Sequence, residues 1–136
     1  VLFRSTITRT TQVFRDIDLT FAAHPNTKDI SILKNEDAIN QSIKTLILTM
    51  FYERPFHSEI GSPVRNLLFE LSTPLTMHTL RRGIIDVIEN FEPRARVDDV
   101  AVAMNDDTNS CDISVQYSVI GLQTLQEVNI SIERTR

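Results

Sequence analysis

Three glutamates have the chemistry that a hydrolytic site needs, because each stands beside hydrophobic residues at the end of a predicted helix. They are Glu53, Glu70 and Glu92. Burial raises the pKa of a carboxyl group, and glycoside hydrolysis needs one such general acid together with a second carboxylate. Each glutamate also has an arginine nearby. These are Arg54, Arg65 and Arg94. A neighbouring guanidinium lowers the pKa of a carboxyl group, which suits a salt bridge and not a general acid.

The composition lacks the aromatic residues that commonly line a sugar-binding cleft. The chain has no Trp and only two Tyr. We therefore predict no catalytic residue and no enzymatic activity. The alternative is a peptidoglycan-cleaving, lysozyme-like hydrolase that uses Glu53 or Glu92.

Two short motifs are typical of rigid turns that hold charged side chains. Glu53-Arg54-Pro55 and Glu92-Pro93-Arg94 each lie just past a predicted helix, and proline restricts the backbone of both. Arginine pairs bidentately with carboxylates and is enriched at protein interfaces. The motifs are thus candidate interfaces or structural locks. The plainer interpretation is a pair of helix-ending turns whose charges are solvated.

The remaining chemistry-bearing residues form no recognisable site. The histidines, His24, His57 and His78, are scattered without the spacing of metal ligands, and the single cysteine, Cys111, cannot build a cysteine-based metal site. We predict no cofactor and no metal. The net charge of −4 argues against a nucleic-acid partner, and no apolar run approaches the roughly 20 residues that span a bilayer. One cysteine fits a reducing compartment such as a bacterial cytoplasm.

The first two-thirds of the chain predicts an arm, two short strands and three helices. Residues 1–13, rich in Thr and Arg, predict an extended arm that orders only against a partner. The alternation of Ile17, Leu19 and Phe21 predicts a strand with one buried face, and Ile30 and Ile32 predict a second strand. Helical spacing of apolar residues predicts helices over 36–51, from Pro63 to Leu71, and from Pro74 to Phe91, with Asn35, Ser62 and Thr73 as N-caps.

The last third of the chain changes to a period of two. Alternating apolar residues predict three antiparallel strands around 100–104, 113–119 and 128–132, which are separated by polar turns. The prediction is an α+β fold with one domain over 14–136, in which three helices pack on one face of a mainly antiparallel sheet. The last strand, over 127–133, is expected at a sheet margin, where its unpaired backbone is open to a strand from a neighbour.

The ordered set of these motifs resembles the gene-25-like baseplate wedge family of contractile phage tails, which also includes a subunit of the type VI secretion baseplate. The resemblance runs over about residues 14–134. The matching residues are Glu53, Arg54, Pro55, Phe56, Gly61, Arg65, Leu67, Leu68, Phe69, Glu70, Glu92, Pro93 and Arg94. Family members are often labelled lysozymes, a label that the residues themselves do not support.

The resemblance implies a structural protein of the virion tail baseplate, assembled in the host cytoplasm. Its fold is expected to be similar to the interlocking domain of the tail sheath protein, and its place is where the first sheath ring begins. The implied partners are other wedge proteins, the sheath protein through edge-strand addition, and the hub region next to the tube. The Glu92-Pro93-Arg94 motif is the implied contact with neighbouring wedge subunits.

The two motif arginines are expected to have different roles. Arg94 follows the rigid turn at Pro93, so we predict that it presents its guanidinium to a partner at little ordering cost. Arg65 lies inside the short helix within reach of residues 53–61, so we predict that it locks that connection internally.

Overall fold

The computed structural model describes residues 13–105, 107–108 and 110–133. Two short strands come first, β1 (Arg15–Ile17) and β2 (Ile32–Lys34), followed by the helices α1 (Glu36–Leu48), α2 (Val64–Leu67) and α3 (Pro74–Phe91). Three long strands complete the fold, β3 (Ala95–Asn105), β4 (Ser110–Val119) and β5 (Leu122–Glu133). The predicted α+β class, with helices and antiparallel sheets, is confirmed. No helix in the described part of the chain is long and apolar enough to cross a membrane.

The two groups of strands form separate antiparallel sheets. β1 pairs with β2 as a hairpin, and the long strands form a meander in the order β3-β4-β5. The last strand therefore lies at a sheet margin, as predicted. Gly121 has a φ of 93°, a left-handed conformation that suits the tight turn between β4 and β5.

The core lies between the helices and one face of the meander. Helices α1 and α3 bury the apolar stripes that their spacing predicts, and every second residue of β4 faces them. The most deeply buried large side chains are Ile39, Ile43, Ile47, Val64, Leu80, Ile84, Ile88, Val100, Ile113, Val115 and Tyr117. Cys111 is also fully buried, so it is a core residue.

The helix boundaries depart from the predicted ones where tertiary contacts replace helical hydrogen bonds. Helix α1 ends at Leu48 because the backbone of Thr49 is extended. The Thr49 carbonyl accepts the Ser62 N–H at 2.8 Å. Asn35 does not cap α1. Its side-chain oxygen accepts the Phe14 N–H instead, at 3.2 Å, and its own N–H donates back to the Phe14 carbonyl. The predicted cap at Thr73 is confirmed, since its hydroxyl accepts the Thr76 N–H.

The hairpin contradicts the predicted burial of its apolar face. β1 is shorter than expected, and Ile17, Leu19 and Phe21 are 59%, 53% and 68% exposed. The alternation is real, but the half-buried positions are Phe14, Asp16 and Asp18. The inner face of β1 carries the Asp16 carboxylate, which pairs with another side chain of the fold. The apolar side chains of β1 therefore face solvent.

Gly61 allows the backbones of residues 50–51 and 61–62 to approach closely. A Cβ at Gly61 would lie 2.5 Å from both the Met50 carbonyl carbon and the Phe51 nitrogen. We expect Gly61→Ala to lower the free energy of unfolding by about 1–3 kcal/mol, the range typical of overpacking. Urea denaturation of the purified protein measures this. Gly121→Ala is the matched control, because a Cβ there meets open space and only the positive φ opposes it, at about 1 kcal/mol. Equal losses in the two variants would contradict the close approach.

Candidate functional site

The Glu92-Pro93-Arg94 motif forms the turn between α3 and β3 and holds a buried charge pair. The Arg94 Nε donates to Glu92 Oε1 at 2.6 Å, and the Arg94 Nη2 donates to Glu92 Oε2 at 2.8 Å. The Glu92 side chain is 3% exposed and the Arg94 side chain 23%. This is a bidentate pair of the kind that arginine favours, with both carboxylate oxygens used.

The remaining nitrogen of Arg94 reaches across the fold to the hairpin. Its Nη1 donates to both carboxylate oxygens of Asp16 in β1, at 3.0 and 3.2 Å. The guanidinium carbon also lies 5.6 Å from the centroid of the Phe14 ring, a cation–π distance. Asp16, Glu92 and Arg94 are called the Arg94 network below. It joins the hairpin to the turn between α3 and β3.

The electrostatics of the pair of Glu92 and Arg94 favour the ionised form of both side chains. Burial opposes the charge on Glu92, but hydrogen bonds from Arg94 and from the Ser42 hydroxyl outweigh it and hold the pKa of Glu92 below its ordinary value. The hydrogen bonds to Glu92 raise the pKa of Arg94 further above the physiological range. A general acid must carry a proton near neutral pH, so Glu92 lacks the property that general-acid catalysis requires.

The other predicted pairs of glutamate and arginine do not form. Within the described residues, no ion pair or side-chain hydrogen bond joins Arg54 to Glu53 or Arg65 to Glu70. The Glu53 carboxylate instead accepts the Met50 N–H at 2.8 Å, which closes the turn that follows α1. Arg54 lines an open cavity of about 300 Å³ together with Asp16.

The residues next to these charges are exposed. Pro55 is exposed, and Phe56 beside it is 100% exposed with a φ of 69°. Arg65 and Glu70 are also exposed. Among the described residues, no cluster of three His, Cys, Asp or Glu could hold a metal ion.

The structure reverses the local arrangement that we expected for the two arginines. The Arg94 guanidinium is engaged within the chain, whereas the Arg65 side chain makes no hydrogen bond or ion pair in the described part of the chain. Arg94 therefore has the geometry of a lock. A contact of residues 92–94 with a neighbouring subunit stays a prediction. Asp16 and Ser42 complete the site, and neither residue was identified from the sequence. The only signal for Asp16 is its place opposite the apolar residues in the alternation of the first strand.

Comparison with known proteins gives one family. Residues 34–124 match the family model of baseplate wedge protein gp25. The chain is 33% identical over 111 residues to baseplate wedge protein gp25 of Enterobacteria phage T4, which covers 80% of this chain and 82% of that protein.

Solved structures with a similar fold come from several contractile systems. A Geobacter sulfurreducens protein described as a “putative tail lysozyme” matches with a TM-score of 0.65 at 17% identity, over 72% of this chain and 89% of that one. A chain of the anti-feeding prophage baseplate matches with a TM-score of 0.63 at 19% identity, over 88% and 84%. A chain of the type VI secretion baseplate matches with a TM-score of 0.59 at 20% identity, over 70% and 90%. At these identities the similarity establishes the fold.

Arg94→Ala should destabilise the isolated domain. The change leaves the Glu92 carboxylate buried without its bidentate partner, and breaking a fully buried pair costs roughly 3–5 kcal/mol. Because Arg94 is partly exposed, we expect a loss of about 2–4 kcal/mol in the free energy of unfolding. Arg82→Ala and Arg65→Ala are the matched controls. Arg82 has only an exposed i,i+4 pair with Asp86, so either control should cost under about 0.5 kcal/mol. An Arg94→Ala variant as stable as the controls would show that the network is not a lock.

Acid should weaken the same lock. The folded-state pKa of Glu92 is lowered, so its contribution is fully present above the ordinary glutamate value of about 4.3 and is lost as the pH falls through the folded-state pKa. We expect Glu92→Gln to be less stable at pH 7 and to lose less stability than the parent protein below about pH 4.3. Urea midpoints from pH 7 to pH 3 measure both effects.

Glu59→Gln is the control for the acid experiment. Its pKa is also lowered, by backbone hydrogen bonding and by His57, but the group is exposed. Solvent screens this exposed pair, so the pH profile of Glu59→Gln should stay much closer to that of the parent protein than the profile of Glu92→Gln does. If Glu92→Gln also follows the parent profile, the Arg94 network does not carry the acid sensitivity.

Proposed function

Because this chain belongs to the family of baseplate wedge protein gp25, we propose that it is a structural subunit that binds neighbouring wedge subunits and provides the platform for the first sheath ring. Family membership places it among the baseplate wedge proteins of contractile tails, in the virion tail baseplate. The proposal concerns what it does there, with which surfaces, and without catalysis.

The free edge of β5 is the observation that carries the platform role. β5 spans Leu122–Glu133, pairs with β4 on one side, and has no strand on its other side within the described residues. An edge of this length offers a row of backbone N–H and C=O groups to a strand from another chain. The sheath protein is the proposed donor of that strand.

The outer face of the hairpin supports a second contact, to neighbouring wedge subunits. Ile17 and Ile32 are cross-strand partners, and both are more than half exposed. Arg15 and Lys34 also lie directly opposite each other, an arrangement of like charges that destabilises an isolated hairpin. Apolar residues with unbalanced cations are typical of a surface that a partner covers. A contact with the hub region, and an arm over residues 1–13 that orders on a partner, stay predictions. All of the arm except Val13 lies outside the described residues.

A lysozyme-like hydrolase is the second candidate, since one protein of similar fold is described in that way. The candidate residues argue against it. Glu92 is held ionised by Arg94 and Ser42, and Glu53 accepts a backbone hydrogen bond in its own turn. Glu92 is thus not in the protonated state that a general acid needs, and the Glu53 carboxylate is already bonded within its own turn.

Hydrogen exchange tests the platform role. In the isolated protein, the β5 amides that are not bonded to β4 should exchange rapidly. Adding the purified tail sheath protein of the same particle should protect these amides and leave those of α3 unchanged, because strand addition bonds the edge backbone directly. Unchanged exchange along β5 at saturating sheath protein would exclude strand addition. A parallel assay with purified peptidoglycan tests the second candidate, and release of soluble fragments that disappears in Glu53→Gln or Glu92→Gln would establish it.

A further inference from the structure

A groove of about 510 Å³ runs beside the free edge of β5. Val128 and Asn129 of β5 form one wall, and α1 and the hairpin form the other. Within the described residues, its lining takes nothing from β3 or β4. A strand added to β5 would therefore lie in this edge groove with one row of side chains facing α1. The groove residues that matter here are Leu33, Gln41, Lys44, Leu48, Val128 and Asn129.

The α1 wall combines apolar and polar features that the chain itself leaves incomplete. Leu48 and Val128 are half-buried and continue the core into the groove. Lys44 is exposed and has no ion pair among the described residues. The Gln41 side-chain oxygen is buried and accepts no hydrogen bond there. Asp18, at the hairpin end of the groove, already accepts the Thr20 N–H at 2.8 Å.

A buried acceptor without a donor is unfavourable, and native structures contain few of them. Gln41 lines both this groove and the cavity of about 300 Å³ that Arg54 lines, so its unpaired oxygen is a sign that something else completes one of these two surfaces. Lys44 is the cation of this wall, so the wall is complementary to an occupant that brings a negative charge opposite it.

The spacing along α1 fits an extended segment. Lys44 and Leu48 are one helical step of i,i+4 apart, about 6 Å along the axis. Alternate side chains on one face of a strand are about 7 Å apart. A carboxylate and an apolar side chain two positions apart on an added strand would thus face Lys44 and Leu48 together.

We infer that the edge groove selects the strand that adds to β5 by requiring an acidic residue opposite Lys44 and an apolar residue opposite Leu48. The inference rests on the proposed strand addition and names the chemistry of the strand. Residues 1–12 of this chain contain no carboxylate, so charge favours a segment of another protein over the chain's own N-terminal residues.

Charge reversal of Lys44 tests the selection. The probe is the purified tail sheath protein of the same particle, and its affinity for each variant is measured at several salt concentrations. We expect Lys44→Glu to weaken binding at least about tenfold and to reduce the salt dependence, because an opposite charge pair becomes a like pair. Lys28→Glu makes the same charge change at an exposed residue that does not line the groove, and it should bind like the parent protein. Lys44→Gln should lie between the two.

The possible outcomes separate the inference from the proposed function. Thermal melts check that each variant is folded, and Lys44→Gln remains informative if charge reversal disturbs α1. Equal affinity of Lys44→Glu, Lys44→Gln and Lys28→Glu, with β5 still protected from exchange by the sheath protein, would overturn the groove selection alone. Loss of β5 protection in the parent protein would instead overturn the platform role.

A third outcome concerns the chain's own N-terminal residues. If deleting residues 1–12 exposes the β5 amides to exchange in the isolated protein, those residues occupy the groove and the inference is wrong. Restoration of Lys44→Glu binding by an acidic-to-lysine change in the sheath protein would identify the partner residue.

Discussion

The burial of one carboxylate, Glu92, constrains the rest of this structure. An isolated buried charge costs several kcal/mol, so Glu92 requires a partner that fills both of its oxygens. Arg94 does so from two residues away and has one nitrogen left over. That nitrogen donates a hydrogen bond to Asp16 and so holds β1 against the end of α3. The hairpin can satisfy this contact only by facing its polar side inward, so its isoleucines face outward.

The helices and the meander were predictable because their signals are local. Apolar spacing, the Thr73 cap and the prolines lie within one turn of the element they define. The predicted second helix shows where such signals stop: beyond Leu67 the backbone makes tighter i,i+3 bonds, and Leu71 is 82% exposed, so no core contact sustains the helix. The exposed face of β1 was not predictable in this way. It depends on a bond between residues 78 positions apart, which no local pattern reports.

The candidate site was predictable in part for the same reason. The Glu92-Pro93-Arg94 motif marks a charged turn, but the sequence does not say whether its arginine faces inward or outward. The Glu53-Arg54-Pro55 turn differs from it, because the residues on either side of this turn face solvent. Tyr52 and Phe56, which flank it, both have positive φ and are 84% and 100% exposed. Such conformations cost about 1–3 kcal/mol each. Both rings are exposed, so packing within the chain does not offset that cost. One motif thus stabilises the domain, while the other displays aromatic side chains.

The burial of Cys111 has a practical consequence for studying such a subunit inside a large assembly. It is the only cysteine, it is fully buried, and burial raises the pKa of its thiol to about 11. At neutral pH the thiol is protonated and enclosed, so it does not react with maleimides and other thiol-directed reagents. A cysteine introduced at an exposed position becomes the single reactive thiol of the chain. The native sequence is therefore already a suitable background for attaching one fluorophore or spin label at a chosen surface.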